Sequence, residues 1–436
     1  MRKSSKTLKT PTSPTAGEIL AELVSFSCTS GGDNSQIIHF IGDYLKSLGI
    51  KPHILEGESS PAGEGSPTGG RRYNIFASVG PEKDGGVLLS GHTDVVPASS
   101  QEWHGDPFQL REAGERFYGR GTTDMKGFLA CVLSLVPRWL SQKRNEPIHI
   151  ACTYDEETGC IGVKDLIPLI GSTLPRPDAV IVGEPTELTP VFGHKGAAAC
   201  RTTVKGREAH SSRPDRGVNA IYEAAEIIAE LKRIAERTLS REANNPQASL
   251  FDPPCTTVSV GTIHGGTARN IVAGECELEW EIRTLPWESA DTYIEELEAF
   301  CREHFGTSCV APSVTTQIER SYPGLIPDRN NMAYTYYLRM TGAPEDRPRY
   351  NGTETSAGLT TIPTAADSSI AGTSGAETVT SPLLSTAPFG TEAGRYSIAG
   401  IPAIVWGPGS IAQAHTKDEY IEKHQLEECR RYLARL

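Results

Sequence analysis

Apolar and polar positions along this chain switch between two periods. Ile19, Leu20, Leu23, Val24 and Phe26 share one side of a 3.6-residue repeat, as do Ile37, Ile38, Ile41, Tyr44 and Leu45, and both segments predict amphipathic helices. Gly49 follows the second helix where a left-handed residue closes it. Short apolar runs at 74–79, 86–90, 147–154 and 178–183 each stop at Gly or at acidic residues. They predict buried strands of a central sheet, with helices over 125–140 and 163–170 between them. Such interleaving marks an α/β domain.

After Lys195 the rhythm changes. A strand near 197–205, a long helix near 217–238, strands near 256–264 and 271–284, a helix near 288–304 and a strand near 309–318 follow in order. That is the β-α-β-β-α-β order of a ferredoxin-like α+β unit. The α/β pattern then returns with a helix near 330–341, a strand at 403–406 and a last helix near 421–435. The predicted fold is therefore α/β: an α/β/α domain on a mixed sheet, over 17–196 and 312–436, with a ferredoxin-like unit inserted at 197–311. Residues 1–16 form a basic, acid-free tail, read as frayed and solvated, with an organellar transit peptide as the alternative. The Gly-, Pro-, Ser- and Glu-rich stretch at 57–70 reads as a surface loop. Residues 351–381 hold 13 Ser/Thr and no Lys, Arg or aromatic residue, too little apolar surface to offset the entropy of ordering, and read as a solvated insertion.

Composition narrows the function. With 42 Lys+Arg against 54 Asp+Glu the net charge is −12, which disfavours nucleic acid as a partner. No apolar run approaches the ~18 residues of a membrane span. Ten cysteines without a CxxC pair fit the reduced thiols of a cytoplasmic enzyme. The chain contains no GxxxxGK[ST] phosphate loop, no HExxH helix and no GxSxG elbow.

What remains is a set of His and acidic residues just after predicted strands. His92 and Asp94 stand two apart, on one side of an extended chain, so the carboxylate is placed to orient the imidazole. An isolated HxD is weak evidence, since most such pairs are surface residues. Asp124, in a glycine-rich turn before an apolar helix, reads by itself as an N-cap. Asp155, Glu156 and Glu157 follow the run IHIACTY, where adjacent acids repel unless a cation compensates them or water solvates the loop. Glu184 leaves another buried run, and His415 lies near the C-terminus. Taken together, His92, Asp124, Glu157, Glu184 and His415 suit two divalent ions sharing one carboxylate, at the sheet edge where open α/β folds bind ligands.

The segments GHTDVVP, GRGTTDMKG, DEETG, VGEPT and AHTKDEYI resemble, in order and spacing, the co-catalytic zinc hydrolase family of acetylornithine deacetylases, succinyl-diaminopimelate desuccinylases, aminoacylases and carboxypeptidase G. GHKG at 193–196, AHSSRPDRGVNAI at 209–221, HGGTARNIV at 264–272 and FGTEAG…GPGSIAQAHTKDEYI at 389–421 resemble the acetylornithine deacetylase branch most. The resemblance implies two divalent metal ions, Zn2+ with Co2+ as a possible substitute, held by His92 with Glu184 and by Glu157 with His415, and bridged by Asp124. It implies that Asp94 orients His92, that Glu156 is the general base, and that His210 reaches a neighbouring subunit's site through a homodimer formed by the inserted unit. Asn270 and Arg283 are implied as substrate-binding residues, Arg283 as a fork for an α-carboxylate; pairing with Glu281 is the equal alternative for Arg283. The substrate implied is a small N-acyl amino acid, first N2-acetyl-L-ornithine. The alternatives are deacylation of succinyl-diaminopimelate or acetylmethionine, a dipeptidase, and a non-catalytic dimeric binding protein. Glu392 and the GPGS turn at 407–410 are expected to shape the substrate end.

Overall fold

The computed structural model describes residues 14–57, 70–98, 102–242, 245–306, 312–328, 330–343 and 385–436. The tail at 1–13, most of the 57–70 loop and the insertion at 351–381 lie outside the described residues. Four of the apolar runs become the strands Tyr73–Val79, Val87–His92, Ile148–Thr153 and Ala179–Val182. They sit inside an eight-stranded sheet which runs from edge to edge as His53–Glu56, Tyr73–Val79, Ile148–Thr153, Val87–His92, Ala179–Val182, Ala403–Val405, Val191–His194 and Ser385–Ala387. Val87–His92 pairs in parallel with both neighbours, and Ala403–Val405 runs parallel to Ala179–Val182, whereas Tyr73–Val79 is antiparallel to Ile148–Thr153. The sheet is mixed, as expected.

Alternation of side chains across the pleat explains why both faces need helices. Val87, Leu89, Ile148 and Ile150 join one core with the helices Ala16–Ser25, Ser35–Ser47, Gly127–Leu140, Met332–Thr341 and Lys423–Leu433. Leu88, Ala151, Val180 and Val182 join a second core with Ile161–Leu166 and Ala393–Ile398. Local sequence sets the helix ends. Thr15 Oγ1 accepts the Glu18 N–H at 3.2 Å while Glu18 takes the Thr15 N–H at 2.8 Å, a capping box. Gly49 adopts φ +84° after Ser35–Ser47.

The inserted unit has the predicted order, with strands Gly196–Lys205, Thr257–Gly265, Glu275–Thr284 and Ser313–Tyr322 and helices Ala220–Glu242 and Ala290–Phe305. All three strand pairings are antiparallel. One face buries Cys200, Val204, Leu278, Trp280 and Ile282 under the two helices. The other face is polar and carries Arg201, Glu277, Glu279, Glu281 and Arg283. Ser313–Tyr322 pairs with Gly196–Lys205, so this sheet runs past residue 311, where the inserted unit was expected to end. The third strand starts at Glu275 rather than 271, since Ile271 makes only an isolated bridge to His210.

Candidate metal centre

Parallel pairing brings the C-terminal ends of Ile148–Thr153, Val87–His92, Ala179–Val182 and Ala403–Val405 to one edge. The predicted site residues leave from those ends. His92 closes its strand, Glu156 and Glu157 follow Thr153, Glu184 follows Val182, and His415 sits beyond the 407–410 turn with φ +59°. Asp124 lies in a tight turn, Thr122–Lys126, ahead of Gly127–Leu140. The N-cap of that helix is Lys126, so Asp124 is not a cap and its carboxylate is free for other work.

That carboxylate stands between the two imidazoles. His92 Nε2 is 3.1 Å from Asp124 Oδ1, and His415 Nε2 is 3.3 Å from Asp124 Oδ2. His415 Nε2 also lies 3.0 Å from Glu157 Oε1, and His92 Nε2 lies 3.8 Å from Glu184 Oε1. His92 is fully buried and its other nitrogen, Nδ1, lies 2.9 Å from the Asp94 main-chain carbonyl. The Asp94 carboxylate is farther, at 3.6 Å, beyond hydrogen-bond range, so orientation of His92 comes chiefly from the backbone of Asp94. The carboxylate itself accepts the Ser30 hydroxyl at 2.7 Å and the backbone N–H groups of Glu156 and Glu157 at 3.2 and 3.3 Å. It therefore fixes the turn that carries both glutamates.

The residues fit divalent cations. Donor atoms of His92, Asp124 and Glu157 lie within 4.8 Å of one another, and so do those of His92, Glu156 and Glu184. Glu184 Oε1 is buried without a hydrogen-bond partner. Burial, then repulsion from Asp124, pushes the Glu184 carboxyl well above the ordinary range. Burial, with repulsion from Glu157, Asp124 and Glu392, does the same to Glu156 against the pull of His92. The imidazoles compensate part of this charge: hydrogen bonds to Asp124 and Glu157 raise His415 to about 10, and, against burial, which lowers it, the hydrogen bond to Asp124 and the nearby negative charges of Glu184 and Asp94 raise His92. Metal ligation needs those nitrogens unprotonated and those carboxylates ionised, the state a pair of cations would favour.

The remaining predicted residues sit on the inserted unit. His210 is exposed, with Nδ1 2.8 Å from Ser212 Oγ, and its loop is tied to that of Asn270 by the Ser211 N–H donating to the Asn270 carbonyl at 3.0 Å. Arg283 is engaged by Glu281, at 2.7 Å through Nε and 3.3 Å through Nη2, so the alternative partner holds the guanidinium in this conformation.

Two expectations for the substrate end change. Glu392 is buried, bonded to Thr153 Oγ1 at 2.5 Å and Ser90 Oγ at 3.1 Å beneath the site, so it braces the strand ends instead of lining an open surface. Gly407 gives close approach to protein rather than ligand, since a Cβ there would lie 2.3 Å from the Gly183 carbonyl oxygen. Ser30, which touches Asp94, carries no local sequence signal, and Glu419, although it lies within AHTKDEYI, has nothing in its spacing that points to the Asp124 turn; the fold joins both to the site.

A model of the peptidase dimerisation domain matches residues 192–309. The chain is 33% identical over 414 residues to an acetylornithine deacetylase from Aliivibrio salmonicida, covering 94% of each protein. Among solved structures, a metallo-carboxypeptidase of the M20 family from Sulfolobus solfataricus superposes with a TM-score of 0.69 at 16% identity, covering 96% of this chain and 98% of that one. A Bacillus subtilis protein described as a dinuclear metal-binding peptidase of the same family superposes with a TM-score of 0.55 at 14% identity, covering 96% of each.

Proposed function

The chain belongs to the acetylornithine deacetylase family, and from that premise we propose that it hydrolyses N2-acetyl-L-ornithine to L-ornithine and acetate. It is a metal-dependent hydrolase. The observation that carries the reading is the single carboxylate, Asp124, with an imidazole on each oxygen. In the proposed arrangement His92 and Glu184 would hold one divalent ion and Glu157 and His415 the other, with Asp124 available to both. Zinc is the metal proposed, with cobalt able to replace it, because two imidazoles and three carboxylates suit ions of borderline hardness.

When bound, such ions lower the pKa of a water towards ~7 and polarise an acyl oxygen. Glu156 stands beside the proposed ligands and acts as the general base. It takes a proton from the attacking water as the C–O bond forms and hands it to the amide nitrogen as the C–N bond breaks. The amine leaves with that proton, and acetate leaves with the water's oxygen. Asp94 keeps the Glu156–Glu157 turn and the His92 ring in register for this transfer.

The inserted unit is assigned dimerisation and closure over the substrate. The matched dimerisation model supports association of two copies through it, and His210 of one copy is proposed to stabilise the acyl oxygen in the site of the other. Asn270 and Arg283 would hold the substrate, with Arg283 exchanging Glu281 for an α-carboxylate. No described helix is long and apolar enough to cross a membrane, and a cytoplasmic location is proposed with the rest.

Steady-state kinetics on acetylornithine, succinyl-diaminopimelate and acetylmethionine test the assignment. Acetylornithine is expected to give the highest kcat/KM; a lead for either of the others would replace the substrate while leaving the hydrolase intact.

A further inference from the structure

The carboxylate of Glu419 is fully spent on the turn that presents Asp124. Glu419 is 1% exposed, and its two oxygens collect four donors. Oε2 accepts Arg120 Nη1 at 2.8 Å and the Gly121 N–H at 2.9 Å, while Oε1 accepts the N–H of Thr123 at 2.9 Å and of Asp124 itself at 3.1 Å. Gly121, at φ +83°, turns the chain so that these N–H groups converge. The two segments are stitched further by the Gly119 N–H to the Glu419 carbonyl at 2.9 Å and by Thr123 Oγ1 to the Tyr420 carbonyl at 2.5 Å.

The same short segment carries His415. One stretch of chain, 415–420, thus supplies an imidazole to one oxygen of Asp124 and grips the backbone of Asp124 from behind. We propose that Glu419 is a positioning residue that sets the Asp124 carboxylate between the two imidazoles and thereby controls metal affinity. This rests on the reading of Asp124 and His415 as metal ligands. Glu419 reaches no ligand atom itself. Its action passes through the backbone, where charge-assisted bonds hold a turn more firmly than neutral ones. Partners lying behind metal ligands typically govern affinity by about 10- to 100-fold.

Glu419→Gln keeps the shape but replaces one oxygen with a donor that faces backbone N–H groups. In the purified full-length protein, zinc affinity measured by competition with a chromophoric chelator is expected to fall by about 10- to 100-fold. The rise in Tm on adding zinc should shrink in parallel. A residue that served only the fold would lower the Tm of the metal-free protein and leave zinc affinity within about twofold of the parent, and that result would overturn the proposal. Should Glu419→Gln not fold, Glu419→Asp, which keeps the charge but cannot span both sides of the turn, is read by the same two measurements. Loss of the fold in both variants would likewise make Glu419 structural and overturn the proposal. A parent protein that binds no zinc would instead remove the metal reading beneath it, whichever acyl substrates are turned over.

Discussion

His194 gives the chain a stability that depends on pH, and its size follows from its surroundings. The ring is fully buried where the strand Val191–His194 leaves the large sheet for the inserted unit. Nδ1 donates to the Lys195 carbonyl at 2.9 Å, which leaves Nε2 to accept the Thr391 hydroxyl at 3.2 Å. Both contacts suit the neutral ring. Burial lowers its pKa from 6.5 to about 4, outweighing the carbonyl that favours the charged form. In the unfolded chain the ring takes up a proton below 6.5; in the folded protein it resists until about 4. The unfolded state therefore binds more protons across this window, and stability falls as the pH drops from 6.5 to 4. The full loss is about 3 kcal/mol, of which about 2 kcal/mol is reached by pH 5. Urea unfolding of the metal-free protein from pH 7.5 to 4.5 (roughly the window set by linkage), alone and as His194→Gln, isolates the effect, because the site carboxylates titrate in both. The parent should lose about 2 kcal/mol more than the variant between the neutral end and pH 5. Parallel curves would show that the ring is not held neutral and would refute the argument.

Three further outcomes are expected. Glu156→Ala should retain bound metal while turnover drops by about 10²- to 10⁴-fold, as for loss of a general base; metal analysis with single-turnover kinetics checks both. Treatment with a chelator should abolish hydrolysis, and zinc or cobalt should restore it, whereas an enzyme indifferent to chelation cannot work as proposed. Gly407→Ala places a Cβ against the backbone of Gly183 and Glu184 and should destabilise the protein by about 1–3 kcal/mol, read as a lower Tm and weaker zinc binding.

The sequence exposed those parts of the structure whose causes are local. The runs before His92, Glu156 and Glu184 are continuous and apolar because their strands are buried on both faces, so their ends were visible as Gly or acid. The strands Arg111–Ala113, Arg116–Tyr118 and Tyr420–Glu422 gave no such signal: each has three residues, and Arg111–Ala113 is exposed throughout. The cap reading of Asp124 stayed open because sequence spacing alone does not reveal the Thr122–Lys126 turn, which sets the start of the helix at Gly127 with Lys126 as its cap. The bracing acids Glu392 and Glu419 act on residues about 300 positions away, at Ser90 and Gly121, and no periodicity records such a partnership. Arg283 had two equal partners in the sequence, and the strand geometry of Glu275–Thr284, which puts Glu281 on the same face, selects the nearer one.

The order in which the site residues occur along the chain has a consequence during synthesis. His92, Asp124, Glu157 and Glu184 emerge from the ribosome long before His415 and Glu419. A nascent chain, or one released by premature termination, lacks both the second imidazole and the carboxylate that steadies the Asp124 turn. In the proposed arrangement both ions would be held only after the closing loop, 415–420, has been translated and has docked on the Asp124 turn.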